Sequence, residues 1–164
     1  SDEKLNTLFQ SLKDINAKLW VIEDDKRLCE KNSDFIENFI TLFAERVKQI
    51  PEDWDMLYLG GVHETRGGQF IPQKFSEHVL KCARTITTTC YAIKSSVYDL
   101  ALDIVFEEVP WFHTAIDGYL GAYVQGKCNA YCFHPPLVWQ RGSHSNIQNQ
   151  YRDYSDWMKN DNIR

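Results

Sequence analysis

The stretch Leu19-Trp20-Val21-Ile22-Glu23-Asp24-Asp25 decides the reading of the fold: it is a short apolar run that ends in three carboxylates. Apolar β-favouring residues in such a run predict a buried strand. Acids at its C-terminal end fall at the sheet edge where α/β folds bind ligands. On a regular strand Glu23 and Asp25 share a face and Asp24 points away. Hard cations such as Mg²⁺ and Mn²⁺ prefer oxygen ligands, and Mg²⁺ often takes only one or two protein carboxylates, leaving positions to substrate phosphates. The same acids could instead terminate the strand and cap the next helix.

Before this stretch, Leu5, Leu8, Phe9, Leu12 and Ile15 recur at three- and four-residue spacing and predict an amphipathic helix. After it, the pattern Phe35, Ile36, Phe39, Ile40, Leu42, Phe43 and Val47 predicts a second helix, with Ser33 and Asp34 as candidate caps and Pro51 as its stop. Trp54, Met56, Leu57, Tyr58 and Leu59 read as a strand closed by Gly60 and Gly61, which permit a sharp turn or a close backbone approach. The segment from His63 to Phe75 shows no steady period and reads as a mobile surface loop or active-site flap. Two strands are predicted between Val79 and Ile93, broken near Lys81 to Arg84.

Ser95 and Ser96 are candidate caps for a helix whose buried face is Val97, Leu100, Ala101 and Ile104, stopped by Pro110. Asp117 heads a further helix carrying Tyr119, Leu120, Tyr123 and Val124, with Gly126 as its terminator. Cys128 to Phe133 is the last predicted strand, followed by the breaker pair Pro135 and Pro136. From Arg141 onward the chain is polar and aromatic without a period, and its end is expected to be poorly ordered. Strands alternating with helices, without repeats or a linker, predict one α/β layered domain over residues 1–164.

Composition narrows the function. A 164-residue chain with 43% hydrophobic and 13% aromatic residues can bury a sizeable core. Its net charge of −5 offers no general attraction to nucleic acid or anionic membrane. No apolar run approaches the roughly 20 residues of a transmembrane span, and the N-terminus lacks a signal-peptide core. The five cysteines, Cys29, Cys82, Cys90, Cys128 and Cys132, form no Cys-x-x-Cys pair and read as reduced thiols, which favours the cytoplasm. A secretory lumen is the alternative for a trimmed chain.

Four ordered segments carry a resemblance: Val21-Ile22-Glu23-Asp24-Asp25; Asp53-Trp54-Asp55-Met56-Leu57-Tyr58-Leu59-Gly60; Thr88-Thr89-Cys90-Tyr91-Ala92-Ile93; and Ile116-Asp117 followed by His134-Pro135-Pro136-Leu137-Val138. Together they resemble the family-twenty-five glycosyltransferases, which group lipopolysaccharide-core enzymes with procollagen galactosyltransferases. The resemblance implies a GT-A-like twisted mixed β-sheet flanked by helices and a metal-dependent inverting transferase. Such an enzyme moves a hexose, galactose or glucose, from a UDP-sugar to a saccharide or hydroxylated acceptor, as in lipopolysaccharide biosynthesis.

By that likeness Asp25 is the principal ligand of Mn²⁺ or Mg²⁺, and Glu23 or Asp24 holds the donor ribose or sugar or a metal-bound water. His144 is the candidate second metal contact, or else an exposed loop histidine. Asp117 is the candidate general base; an Asp at a helix start is also a favoured cap, and the roles are compatible. Thr88 and Thr89 would line the sugar end of the donor cleft, or serve only as β-formers. Arg141 suits a diphosphate with its planar fork, or is a solvated surface residue. The chain departs from the family in front of the Glu-Asp-Asp strand, where relatives carry another nucleotide-binding βαβ portion. It is therefore expected to be a fragment or a reduced relative, and the competing reading is an inactive relative that binds carbohydrate through aromatics such as Tyr151, Tyr154 and Trp157.

Overall fold

The computed structural model describes residues 18–19, 33–103, 115–140, 142–145, 149–153 and 158. The elements are β1 (Lys18–Leu19), α1 (Ser33–Arg46), β2 (Met56–His63), β3 (Gln73–Lys74), β4 (Val79–Lys81), β5 (Thr85–Ile93), α2 (Tyr98–Leu102), α3 (Ile116–Tyr119), β6 (Ala130–Phe133), β7 (Ser143–Ser145) and β8 (Gln150–Arg152). Six strands form one sheet in the order β1-β5-β2-β6-β4-β3, and β7 pairs with β8 separately. The β2–β6 pair is parallel and the other pairs are antiparallel, so the sheet is mixed.

Central β2 shows why the sheet must be covered on both sides. Leu57 and Leu59 join Phe43 of α1, with Val79, Tyr131 and Phe133, in one apolar cluster. Met56 and Tyr58, the alternate residues, join Val97, Tyr119, Leu120 and Val124 in a second cluster. Side chains alternate across a strand, so one face of the sheet packs on α1 and the other on Val97, just ahead of α2, and on the helical stretch from Tyr119 to Val124. The result is three layers, an α/β arrangement of the class expected. Fully burying each of these Leu, Val or Met side chains stabilises the fold by about 1.5–3 kcal/mol against leaving it exposed.

The break foreseen between two strands falls between Lys81 and Thr85. Several local expectations are corrected. Gly60 and Gly61 do not close the strand but lie inside β2, and of the two roles read for them the close backbone approach is the one present, since a Cβ on Gly60 would run into the Val138 carbonyl oxygen. Leu137 N–H donates to Leu59 O at 2.8 Å and keeps that segment pressed against the strand. Ser95 and Ser96 cap nothing: they sit inside a 3-10 turn, Ser95–Val97, before α2, with no side-chain cap bond. Ser96 Oγ instead donates to Asp55 Oδ1 at 3.3 Å.

Gly126 is not a left-handed terminator but part of a 3-10 turn, Gln125–Lys127, that follows a π-helical stretch, Leu120–Val124. Past Arg141 the chain forms the β7–β8 hairpin where no strand was foreseen, with His144 opposite Tyr151. The interval between β2 and β4 holds a 3-10 turn, Arg66–Gly68, and edge strand β3, while His63 belongs to β2 itself. The predicted helix from Leu5 to Ile15, the strand beyond Leu19 through Asp25, Ile104 and Pro110 lie outside the described residues. Cys82, Cys90, Cys128 and Cys132 are free thiols, as expected. Among the described residues no helix is long and apolar enough to cross a membrane.

Candidate functional site

The site is built on an irregularity of β5. Gly60 pairs with Cys90 and Val62 with Ile86, so one residue of β2 faces three of β5: Thr87, Thr88 and Thr89. Bulges of this kind bend a strand and re-aim its side chains, and they concentrate next to active sites. Thr87 adopts φ 77°, a left-handed conformation in which a β-branched residue is a clear outlier. Its N–H donates to Asp117 Oδ2 at 3.1 Å, and Asp117 Oδ1 accepts from Gly118 N–H at 2.9 Å. The Asp117 carboxylate therefore ties the bulge to the first turn of α3. A carboxylate has about four acceptor positions, so these two bonds leave capacity on a side chain that is only half-buried.

Beside this junction lies a cavity of about 390 Å³. Thr88, Thr89 and Cys90 from the bulge form one wall, and Tyr98 and Leu102 of α2 form another. Ile116, next in chain to Asp117, and Leu120 complete it. Leu102 and Ile116 are 76% and 50% exposed, which leaves an apolar rim open to solvent. Burial pushes the Cys90 thiol up to about 11, so it is neutral at physiological pH. Tyr91, which also lines the cavity, is raised by burial too. The Tyr98 hydroxyl is buried and has no hydrogen-bond partner among the described residues. The walls thus carry no formal charge, and the charged group of the site is Asp117 beside them.

A second constellation, which carried no motif in the sequence, joins the other end of β5 to its neighbours. His63 Nδ1 lies 2.9 Å from Thr85 Oγ1 and Nε2 lies 3.5 Å from Cys132 Sγ. Gln125 Oε1 accepts from Thr85 N–H at 2.8 Å, while its amide nitrogen donates to Tyr58 OH at 3.0 Å and to Thr85 O. Burial pushes the Tyr58 hydroxyl up, and a bond with Cys82 followed by burial does the same to Cys132. Mutually bonded and buried, these groups pin β2, β5 and β6 against the Gln125–Lys127 turn. Such networks rigidify when every member is satisfied.

The Asp53-Trp54-Asp55 block likewise has a structural role. Asp55 Oδ2 accepts Asn129 N–H at 2.9 Å and Asp55 N–H donates to Asn129 O at 2.8 Å, joining the starts of parallel β2 and β6. Lys94 Nζ sits 4.7 Å from the Trp54 ring centre, an attractive cation–π placement.

Of the residues singled out from sequence, Thr88, Thr89 and Asp117 come together at this bulge and cavity. His144 is exposed on β7, in the separate two-stranded sheet. Glu23, Asp24, Asp25 and Arg141 lie outside the described residues. Among the described residues no group of three His, Cys, Asp or Glu could hold a metal ion. No protein-family model, curated protein or solved structure matches the chain.

Proposed function

We propose that the chain is a metal-dependent, inverting glycosyltransferase of GT-A-like architecture that moves a hexose from a UDP-sugar to a saccharide or hydroxylated acceptor. The observation that supports it best is the Asp117 carboxylate, held by the strained Thr87 N–H beside a cavity walled by Thr88 and Thr89. Non-glycine residues in sparsely populated backbone regions persist where surrounding structure over-determines them, and they cluster at functional sites.

In this reading Asp117 accepts the proton of the acceptor hydroxyl as its oxygen attacks the anomeric carbon. The new carbon–oxygen bond forms as the bond to the diphosphate breaks on the opposite face, and the electron pair leaves with UDP. A dication, for which Asp25, Glu23 and His144 are the proposed ligands, would offset the charge that builds on the diphosphate. Asp24 is assigned to the donor, and Arg141 to the diphosphate oxygens.

The test is UDP release from UDP-galactose and UDP-glucose in the presence of Mn²⁺. Asp117→Asn keeps an acceptor for Thr87 N–H but removes the base, and it should lower turnover by about 10²–10⁴-fold. Unchanged turnover in that variant would count against the base. The competing reading, a carbohydrate-binding module, draws on Tyr151, 66% exposed on the β7–β8 hairpin. Glycan binding that survives chelation without any nucleotide binding would favour it.

A further inference from the structure

Asp117 and Gln125 reach the same edge of β5 from one helical segment. Among the described residues β1 pairs with β5 only at Ala92 and Ile93, so the outer edge of β5 at Thr85 and Thr87 has no strand beside it. Side chains take the strand's place. The Gln125 amide, chemically a copy of the peptide group, accepts Thr85 N–H at 2.8 Å and donates to Thr85 O. Two residues on, Thr87 N–H donates to Asp117 Oδ2 at 3.1 Å. Between these grips a Cβ on Gly121 would stand 3.2 Å from Thr85 O and 3.3 Å from Ile86 Cγ2, so the segment lies directly on β5. Asp117, Gly121 and Gln125 are spaced four apart. On a regular α-helix residues so spaced drift round the axis by about 40° per step, because 3.6 residues complete a turn. The π-helical stretch Leu120–Val124 has wider turns that take up this drift and keep the three positions on β5. Such π turns are frequent at functional sites.

We infer that Gln125 is a positioning residue for Asp117. By holding both backbone groups of Thr85 it fixes the spacing between the bulge and α3, and with it the place of the Asp117 carboxylate beside the cavity. Gln125 touches no substrate in this account and acts only through Thr85, Thr87 and Asp117. The consequence for turnover rests on the transferase reading, whereas the geometric role does not.

The experiment follows the Thr87 amide signal in the proton–nitrogen NMR spectrum of the full chain, without substrate. Asp117→Ala removes the acceptor and marks where the unbonded signal falls. Gln125→Met keeps the length of the side chain without its amide bonds, and it should move the Thr87 signal most of the way to that mark. Gly121→Ala, which wedges the same segment off Thr85 O, should move the signal in the same direction with Gln125 intact. Tyr58→Phe is the control: it takes away the third bond of the Gln125 amide and leaves both bonds to Thr85, so the signal should stay. With UDP-hexose and Mn²⁺, Gln125→Met should lower kcat by about 10- to 100-fold, as a small misplacement of a reacting group does. KM for the donor should stay within about twofold, and the same change should cost nothing further in an Asp117→Asn background. Three results would overturn the proposal: an unmoved Thr87 signal in folded Gln125→Met and Gly121→Ala chains, an equal displacement in Tyr58→Phe, or full turnover in a folded Gln125→Met variant. A parent chain that releases no UDP while the Thr87 signal moves as expected would refute the transferase reading and leave the positioning role standing.

Discussion

Replacing Thr87 with glycine should stabilise the protein, against the rule for strands. A left-handed conformation costs an L-residue about 1–2 kcal/mol, and Thr87 at φ 77° bears that cost with a branched Cβ. Glycine removes it but loses about 0.5–1 kcal/mol through the greater freedom of the unfolded chain. The side-chain contact given up, Thr89 Oγ1 to Thr87 Oγ1 at 3.4 Å, is long and weak. The balance runs from roughly zero to about 1.5 kcal/mol in favour of Thr87→Gly. At an ordinary strand position the same change costs up to about 1 kcal/mol, so the sign of the effect is diagnostic. Urea unfolding followed by the fluorescence of the five tryptophans reads it directly: the midpoint should hold or rise with the m-value unchanged. Because the strained backbone aims the Thr87 N–H at Asp117, the proposed transferase reading predicts that turnover falls even as stability rises. A loss of about 1 kcal/mol or more in Thr87→Gly would refute the reasoning, since Thr87 would then behave as a regular strand residue.

Other substitutions test the framework of the site. Gly60→Ala should destabilise by about 1–3 kcal/mol, because the new methyl would meet the Val138 carbonyl oxygen at 1.9 Å and its carbon at 2.9 Å; a wild-type urea midpoint would contradict the close packing. Gln125→Ala leaves Thr85 N–H and Tyr58 OH without their partner. At about 1–3 kcal/mol for each stranded group, the thermal midpoint should drop by at least several degrees, and a shift under about one degree would remove Gln125 from the network. The Cys90 thiol, pushed from 9.0 to about 11 by burial, should carboxymethylate about 100-fold more slowly at pH 8 than an unperturbed cysteine. The sign follows from the raised value: the folded state holds the proton more tightly than the unfolded state, so the stability contributed by Cys90 is full below about pH 9 and is lost as pH rises toward about 11. Peptide mapping after iodoacetate treatment checks the rate, and rapid labelling at Cys90 in the folded protein would contradict its burial.

What the sequence disclosed and what it withheld have physical causes. The helical spacing of Phe39 and Phe43 and the apolar run at Met56, Leu57, Tyr58 and Leu59 are strong periodic signals, and α1 and β2 stand where they point. The interruption at Lys81 to Arg84 likewise separates β4 from β5. Gly60 and Gly61 left two roles open because glycine permits both a turn and a close approach, and only the position of Val138 selects the second. The β7–β8 hairpin escaped notice because three-residue polar strands such as Ser143–Ser145 carry no hydrophobic alternation.

At the site, the nearness of Asp117 to the threonine run could be expected only from resemblance. The left-handed Thr87 that joins them was illegible, since β-branched residues signal regular strand. The His63, Thr85 and Gln125 network has no local signature either: its members are 22 and 40 residues apart and meet only through the sheet register and the α3 segment.

The most direct test of a nucleotide-sugar transferase is isothermal titration of UDP into the purified chain with Mn²⁺ and again with EDTA. Saturable binding with Mn²⁺ that disappears in EDTA and in Asp25→Ala is the predicted result. No binding in either buffer, or binding of equal strength in both, would contradict it.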